Sequence, residues 1–336
     1  MVNFSEKDLD EVLASMKVDT APGPDGLPVI FYKTFWALAK PYILAILNDF
    51  ALGRVDISRL NYGVLTLIPK IQGADDIRQF RPIALINVIF KFVAKAYALR
   101  LSPVAHRTIS RTQTTFIKYR LLHEGDLSLQ EIVHETKVKK LRGVFLKLDF
   151  EKAYDRVNWN FLREVLIRKG FDTGWVHRAM SLVSGGQTAI AINGEVGNFF
   201  RNGRGVRQGD PLSPLLFDYM ADALAATLEA AKRAEHIARV VPHLITGGVL
   251  HLQYANDTII MIQPDDLAIA NLKYILLCFE NMSGLQINFH KSEVMVVGTT
   301  YLESQRIANM LNCKLGAFPF TYLGIPISDR ALTASD

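Results

Sequence analysis

Apolar residues at helical spacing open the chain: Leu9, Val12, Leu13 and Met16 follow Ser5-Glu-Lys-Asp8, which has the form of a capping box. Ala21-Pro-Gly-Pro-Asp-Gly26 must end that helix, because two prolines and two glycines in six residues make a rigid loop. The pattern then predicts two short helices over 28–53, broken at Pro41, and a strand over 64–71. Residues 85–101 read as a buried helix, apolar on most faces, with Lys91, Lys95 and Arg100 outside. Residues 121–141 read as an amphipathic helix with a basic end, charge that suits a helix C-terminus.

From residue 144 strands join the helices. Val144-Phe-Leu-Lys-Leu-Asp-Phe150 is β-branched and aromatic enough for a strand, and 159–169 and 175–182 are helical. Gly194-Glu195 sits between two strand-like runs, as does Ala255-Asn256-Asp257, so each predicts a hairpin. A long helix over 211–233 starts with proline, where a missing N–H costs little. A helix over 267–282 stops at Gly284, with strands at 292–297 and around Gly324. The fold class is therefore α+β, helical first and mixed afterwards. No G-x-G-x-x-G follows a strand, and no phosphate-loop motif is present.

Composition narrows the classes. The 336 residues suit two units, and 49% hydrophobic with 21% charged residues rules out a disordered or collagen-like chain. A net charge of +5 permits a polyanionic partner without requiring one. Two cysteines and scattered histidines argue against a disulfide scaffold or a zinc site. The N-terminus lacks a secretory pattern and no run approaches the roughly 20 apolar residues of a membrane helix, so an intracellular protein without a membrane partner is expected.

Candidate chemistry begins with Asp149, a carboxylate at the end of an apolar strand. It reads either as a helix-capping residue or as a group that needs a cation or several donors. Asp257 lies in a tight turn, where Asn and Asp are common because they tolerate left-handed angles. Two such carboxylates on the ends of short buried strands can also converge on a pair of Mg²⁺ ions, which take few carboxylates and share their remaining positions with water and phosphate. Arg201, Arg204 and Arg207 precede a Gly-containing turn that opens a helix, an arrangement that suits a phosphate or nucleotide or else a solvated loop. Lys70 and Arg81, taken alone, read as surface residues.

The ordered set of segments resembles the reverse transcriptases of plant non-LTR (LINE-type) retrotransposons. Its pieces are Ala21-Pro-Gly-Pro-Asp-Gly26, Phe80-Arg-Pro-Ile83, Leu146-Lys-Leu-Asp-Phe-Glu-Lys-Ala-Tyr-Asp155, Gly205-Val-Arg-Gln-Gly-Asp-Pro-Leu-Ser-Pro214, Tyr254-Ala-Asn-Asp257, Gly284-Leu-Gln-Ile-Asn-Phe-His-Lys-Ser292 and Tyr322-Leu-Gly-Ile-Pro326. The resemblance implies a right-hand polymerase with fingers, a small antiparallel palm sheet packed on helices and an incomplete thumb. The implied segments are an N-terminal extension over 1–60, fingers over 61–143, palm over 144–315, and a primer-grip region with the start of a thumb over 316–336. It implies two Mg²⁺ ions, with Mn²⁺ as a substitute, and an RNA template, a DNA primer and dNTPs as partners, in the nucleus or cytoplasm. Asp149, the Phe150 carbonyl and Asp257 would hold metal. Tyr154 would gate the sugar, Gln208 and Gly209 would flank the nucleotide, Arg81 and Lys70 would touch the triphosphate, and Lys291 would protonate the leaving pyrophosphate.

Two positions depart from the family pattern. Asn256 stands where the family has a metal-binding Asp; an amide oxygen can ligate Mg²⁺ but brings no charge, which predicts a severely impaired polymerase. Tyr119 stands before Arg120 where the family commonly has Gly, which predicts local distortion, and Leu121-Leu-His-Glu-Gly125 departs as well. The expected picture is a truncated, degraded copy of a larger element. The alternatives are a catalytically dead module that binds RNA or primer–template, a relic without function, and an unrelated metal-dependent phosphotransferase.

Overall fold

The structure is a computed structural model that describes residues 3–241 and 249–330. Its first stretch holds helices α1 (Glu6–Ala14), α2 (Val29–Thr34) and α3 (Trp36–Ala51), strands β1 (Tyr62–Pro69) and β2 (Phe80–Ile86), and helices α4 (Val88–Thr108) and α5 (Leu122–Val138). The middle holds β3 (Gly143–Leu148), α6 (Ala153–Arg156), α7 (Trp159–Arg168), α8 (Thr173–Ser184), β4 (Gln187–Ile192), β5 (Glu195–Val196), β6 (Phe200–Arg201) and α9 (Ser213–Arg233). The last third holds β7 (His251–Tyr254), β8 (Asp257–Ile262), α10 (Asp266–Ser283), β9 (Glu293–Val297), α11 (Tyr301–Leu311), β10 (Lys314–Leu315), β11 (Phe320–Tyr322) and β12 (Ile325–Ile327). The mixed α+β class is as the sequence predicts. The chain forms two compact units, Met1–Ala105 with Tyr154–Phe217 and His106–Ala153 with Asp218–Asp336. The tail of the expected 316–336 segment and the first two residues of 1–60 lie outside the described residues, as do the side chains of 122–124.

In the first unit the expected capping box forms. Ser5 Oγ accepts from Asp8 N–H while the Asp8 carboxylate accepts from Ser5 N–H at 2.7 Å. The helix break lies at Phe35 rather than at Pro41, which sits inside α3. Aromatic packing fixes the corner: Phe31 meets Phe35 at 5.1 Å, Trp36 stacks on Phe92 at 5.5 Å and Tyr32 meets Phe92 edge-on. Leu85 and Ile86 close strand β2 (Phe80–Ile86) rather than open the helix expected over 85–101, and α4 begins at Val88. Pro82 is compatible with that strand because β2 lies at the edge of the order β2-β1-β4-β5, where a donor is dispensable. β1 pairs antiparallel with β2 and parallel with β4. The hairpin after β4 turns at Asn193-Gly194, both with positive φ, one residue earlier than the sequence suggests.

The second unit is built on the sheet β10-β9-β3-β8-β7, with β11 and β12 as a separate hairpin. β3 is its central strand and is covered on both faces, which explains its near-continuous apolar run. Leu129 and Val133 of α5 pack with Phe145, Ile259, Met261 and Met295 in one core. Antiparallel pairing sets Lys147 opposite Ile259 and Leu148 opposite Thr258. Gly284 ends α10 in the left-handed conformation, with φ 76°. α11 was not expected from the sequence; Thr300 caps it, and it leads to β10, which joins β9 in parallel.

Candidate active site

The β3/β8 register, carried one residue beyond its last pair, sets Asp149 across from Asp257. Side chains alternate along a strand, so Lys147, Asp149 and Asp257 share one face of the sheet. Both carboxyls are half-buried. Burial pushes the Asp149 carboxyl above its ordinary range, Lys291 and Lys147 pull it back, and Glu151 opposes them. Burial likewise raises the Asp257 carboxyl, Lys147 lowers it and Asp149 raises it again. Each carboxylate thus sits in a place that resists its charge, and the Asp149 charge adds to the resistance at Asp257.

Two motifs, 149–151 and 284–292, are tied together by backbone hydrogen bonds. Glu151 N–H donates to the Gln286 carbonyl at 2.8 Å and Asn288 N–H donates to the Asp149 carbonyl at 2.8 Å. Phe150 bridges to Ile287 and meets the Phe279 ring edge-on. Asp149 N–H donates to Ser292 Oγ, which itself donates to the Asn288 carbonyl. Lys291 is exposed at the end of this strap, and its charge reaches Asp149. Lys147 was not singled out from the sequence, although the two-residue strand period placed it beside Asp149. Its ammonium donates to the Thr321 carbonyl of β11 at 2.8 Å, linking the carboxylate face to the Tyr322-Leu-Gly-Ile-Pro326 hairpin.

The β7/β8 turn differs from expectation in one respect. Ala255, not Asn or Asp, takes the left-handed angle, with φ 53°, and Asn256 follows it at the tip next to Asp257. Tyr119 does adopt the positive angle that a glycine would favour, with φ 69°, and is 80% exposed. Arg120 after it donates to the carbonyls of His106, Ile109, Ser110 and Gln113 and so closes the C-terminal end of α4.

In the first unit, Tyr154 stacks face to face on Phe217 at 4.6 Å and 10°, which fixes its ring. The chain around it pairs with the second motif segment: Val206 N–H donates to the Tyr154 carbonyl, and Gly205 N–H to that of Val157. Gln208 is half-buried and its carbonyl accepts from Ala84 N–H at 2.8 Å. Gly209 has φ 111°, and a Cβ there would lie 2.8 Å from the Ala84 oxygen, so only glycine fits. Arg81 is exposed on β2. Lys70 is spent on its own loop, donating to the Arg78 carbonyl at 2.9 Å. Arg207 is buried rather than offered to a ligand: its guanidinium lies over the Phe90 ring, donates to Asn61 Oδ1 and stands 4.0 Å from Asp210. Gln208, Arg204 and Asp155 line a pocket of about 150 Å³ in this unit. Asn87, unremarked in the sequence, accepts from Asp25 N–H through Oδ1 and so ties the Pro-Gly loop to the β2–α4 junction.

Residues 68–327 match the family described as reverse transcriptase (RNA-dependent DNA polymerase). The chain belongs to that family. The uncharacterized 149 kDa protein of transposon TX1 from Xenopus laevis is 29% identical over 296 residues, covering 87% of this chain and 22% of that protein. The Pol polyprotein of the type-1 retrotransposable element R2 from Nasonia vitripennis is 29% identical over 226 residues, 67% of this chain and 21% of that protein. The reverse transcriptase thus spans about a fifth of these relatives' length, and its homologues are non-LTR retrotransposon proteins. Its fold is similar to telomerase from Candida tropicalis, solved in complex with a fragment of telomeric RNA, at a TM-score of 0.54 and 14% identity, covering 96% of this chain and 58% of that one. Telomerase from Candida albicans is similar at a TM-score of 0.50 and 13% identity, covering 82% and 48%.

Reverse transcriptases normally use divalent metal, and the carboxylate face of this chain can be tested for it. Neither the Asp149 nor the Asp257 carboxylate accepts a hydrogen bond from any described residue, and both are raised chiefly by burial, Asp257 also by the Asp149 charge. That is the electrostatic signature of a place completed by a cation. Among the described residues no three His, Cys, Asp or Glu side chains gather as a metal-binding group. Two carboxylates fit Mg²⁺, which is held by one or two of them together with substrate phosphates. Among the described residues no helix is long and apolar enough to cross a membrane.

Proposed function

We propose that the chain is the RNA-directed DNA polymerase body of a plant LINE-type retrotransposon and that Asn256 severely impairs it. The observation that carries the reading is the pair Asp149 and Asp257, brought face to face from segments 108 residues apart on the central strands of one sheet. In this reading residues 1–60 are an N-terminal extension, 61–143 the fingers, 144–315 the palm, and 316–336 the primer grip with the start of a thumb. Asp149, the Phe150 carbonyl and Asp257 would hold two Mg²⁺ ions, or Mn²⁺ in their place. When bound, the ions activate an attacking primer 3′-oxygen and steady the leaving pyrophosphate.

This chain's own residues do the rest. Tyr154, held by Phe217, closes the space beside the sugar and rejects a 2′-hydroxyl. Gln208 and Gly209 present a close backbone to the base and sugar, and Arg81 meets the triphosphate. Lys70 has its ammonium on Arg78 and must release that carbonyl to join Arg81. Lys291, exposed at the strap, gives the proton to pyrophosphate. The partners are an RNA template, a DNA primer and dNTPs, and the site of action is the nucleus or cytoplasm.

Asn256 places an uncharged amide at the hairpin tip, so the site holds two dications with one carboxylate fewer than the family pattern. A module that binds primer–template without turnover is the second reading, and this deficit favours it. The test is dNTP incorporation on an RNA template by Asn256→Asp. Incorporation that is abolished by a further Asp149→Asn supports the proposal. Incorporation that survives Asp149→Asn refutes it. Retention of primer–template by the unaltered chain, weakening with salt and without incorporation, supports the binding reading.

A further inference from the structure

We infer that Gln113 is a positioning residue for the metal-binding turn of the β7/β8 hairpin. The inference rests on the reading of Asn256 and Asp257 as part of the active site. Gln113 is fully buried, and its place is fixed by backbone pairing beside β7. Gln253 N–H donates to the Thr112 carbonyl at 2.8 Å, and Thr114 N–H donates to the Gln253 carbonyl at 3.1 Å. Thr112 Oγ1 and His251 Nε2, 2.7 Å apart, tie the same segment to the start of β7. From this edge the Gln113 side-chain carbonyl accepts from Ala255 N–H at 3.3 Å and from Thr115 N–H at 3.3 Å.

Ala255 is the residue whose conformation needs support. Its φ of 53° is one that a Cβ opposes, and it lies in the two-residue turn between the last ladder pair, Tyr254 and Asp257. No strand partner serves its N–H, so the Gln113 carbonyl does. The backbone angle at 255 sets where Asn256 and Asp257 point. A hydrogen bond from a buried side chain to that amide therefore aims the metal-facing tip without touching metal or substrate. The other end of the carboxamide, Nε2, has no partner among the described residues, so the acceptor oxygen alone carries the role. Arg120, donating to the Gln113 backbone carbonyl at 2.5 Å, holds the segment from behind.

The experiment measures Mn²⁺ affinity, from the signal of free Mn²⁺ in electron paramagnetic resonance, on the full chain carrying Asn256→Asp. Gln113→Met keeps the volume and removes the acceptor, and it should weaken Mn²⁺ binding by about tenfold, the loss of one hydrogen bond. Gln113→Glu keeps an acceptor oxygen and should stay within about twofold. Adding Ala255→Gly to Gln113→Met should recover most of the loss, because glycine takes the left-handed angle unaided. A merely structural residue would lower the folded fraction without changing the affinity of folded chains, and glycine at 255 would not rescue it. Unchanged affinity in Gln113→Met, or no recovery with Ala255→Gly, overturns the inference. If Gln113→Met does not fold, amide exchange in the Asn256→Asp chain decides: Ala255 should be protected well above Asn256, and equal exchange overturns the inference. Primer extension by the same chains separates the two claims. Affinity that responds at 113 in a chain that never extends a primer refutes the polymerase reading alone. Extension with affinity indifferent to 113 refutes the positioning role alone.

Discussion

Replacing Arg120 with methionine should destabilise the chain by about 3 kcal/mol. Its guanidinium donates to four carbonyls: His106 at 3.1 Å, Ile109 at 2.8 Å, Gln113 at 2.5 Å, and Ser110. Hydrogen bonds from a charged donor net about 1.5 kcal/mol each, which sums to about 6. Arg120 is only half-buried, so water reaches part of the site and replaces some of these bonds, and about half of the sum survives. The carbonyls include the end of α4 and the turn that presents Gln113, so the loss falls on the support of the β7/β8 hairpin. The assay is urea denaturation followed by far-ultraviolet circular dichroism. With a urea slope of about 2–3 kcal/mol/M, the midpoint should fall by about 1–1.5 M. Arg120→Lys keeps the charge but loses the planar fork, and it should retain less than half of the stability. A midpoint shift below about 0.3 M for Arg120→Met would show that solvent satisfies those carbonyls and that the fork does not hold the turn.

Two smaller predictions follow from backbone and burial. At position 119, Tyr119→Gly should be more stable than Tyr119→Ala by about 1 kcal/mol, because the left-handed angle opposes any Cβ; equal midpoints would contradict the angle. His251 is buried and held neutral, its imidazole pushed down to about 4 chiefly by desolvation. Its unfolded value lies near 6.5, so its stabilising contribution is complete above that pH and is lost as pH falls from about 6.5 to about 4, by up to about 3 kcal/mol. His251→Gln should flatten the stability profile across that window, and an unchanged slope would refute the assignment.

Local patterns carried most of the elements. Capping residues, strand periods and glycine stops placed α1, β3, α10 and both hairpins, because each is decided by residues close in sequence. Leu85 and Ile86 read as helix in the sequence because they continue into the apolar run of α4; their pairing with Val64 and Gly63 on β1 makes them strand. Pro41 was expected to break a helix, yet the turn at Phe35 is set by aromatic contacts with Phe92, far along the chain. The carboxylates were visible, but their opposition depends on the β3/β8 register. Lys147, Gln113 and Asn87 act through partners more than 60 residues away, which no local pattern reports. Arg207 shows the converse case: a charge that reads as a ligand site in sequence is buried against Phe90 and Asn61.

We propose that one missing carboxylate at the hairpin tip limits catalysis by this chain. The most direct measurement compares primer extension on an RNA template by the unaltered chain and by Asn256→Asp across a Mg²⁺ and Mn²⁺ titration. Asn256→Asp should extend the primer at least about 100-fold faster at saturating Mg²⁺, with a smaller ratio in Mn²⁺. Equal extension rates for the two chains would contradict it.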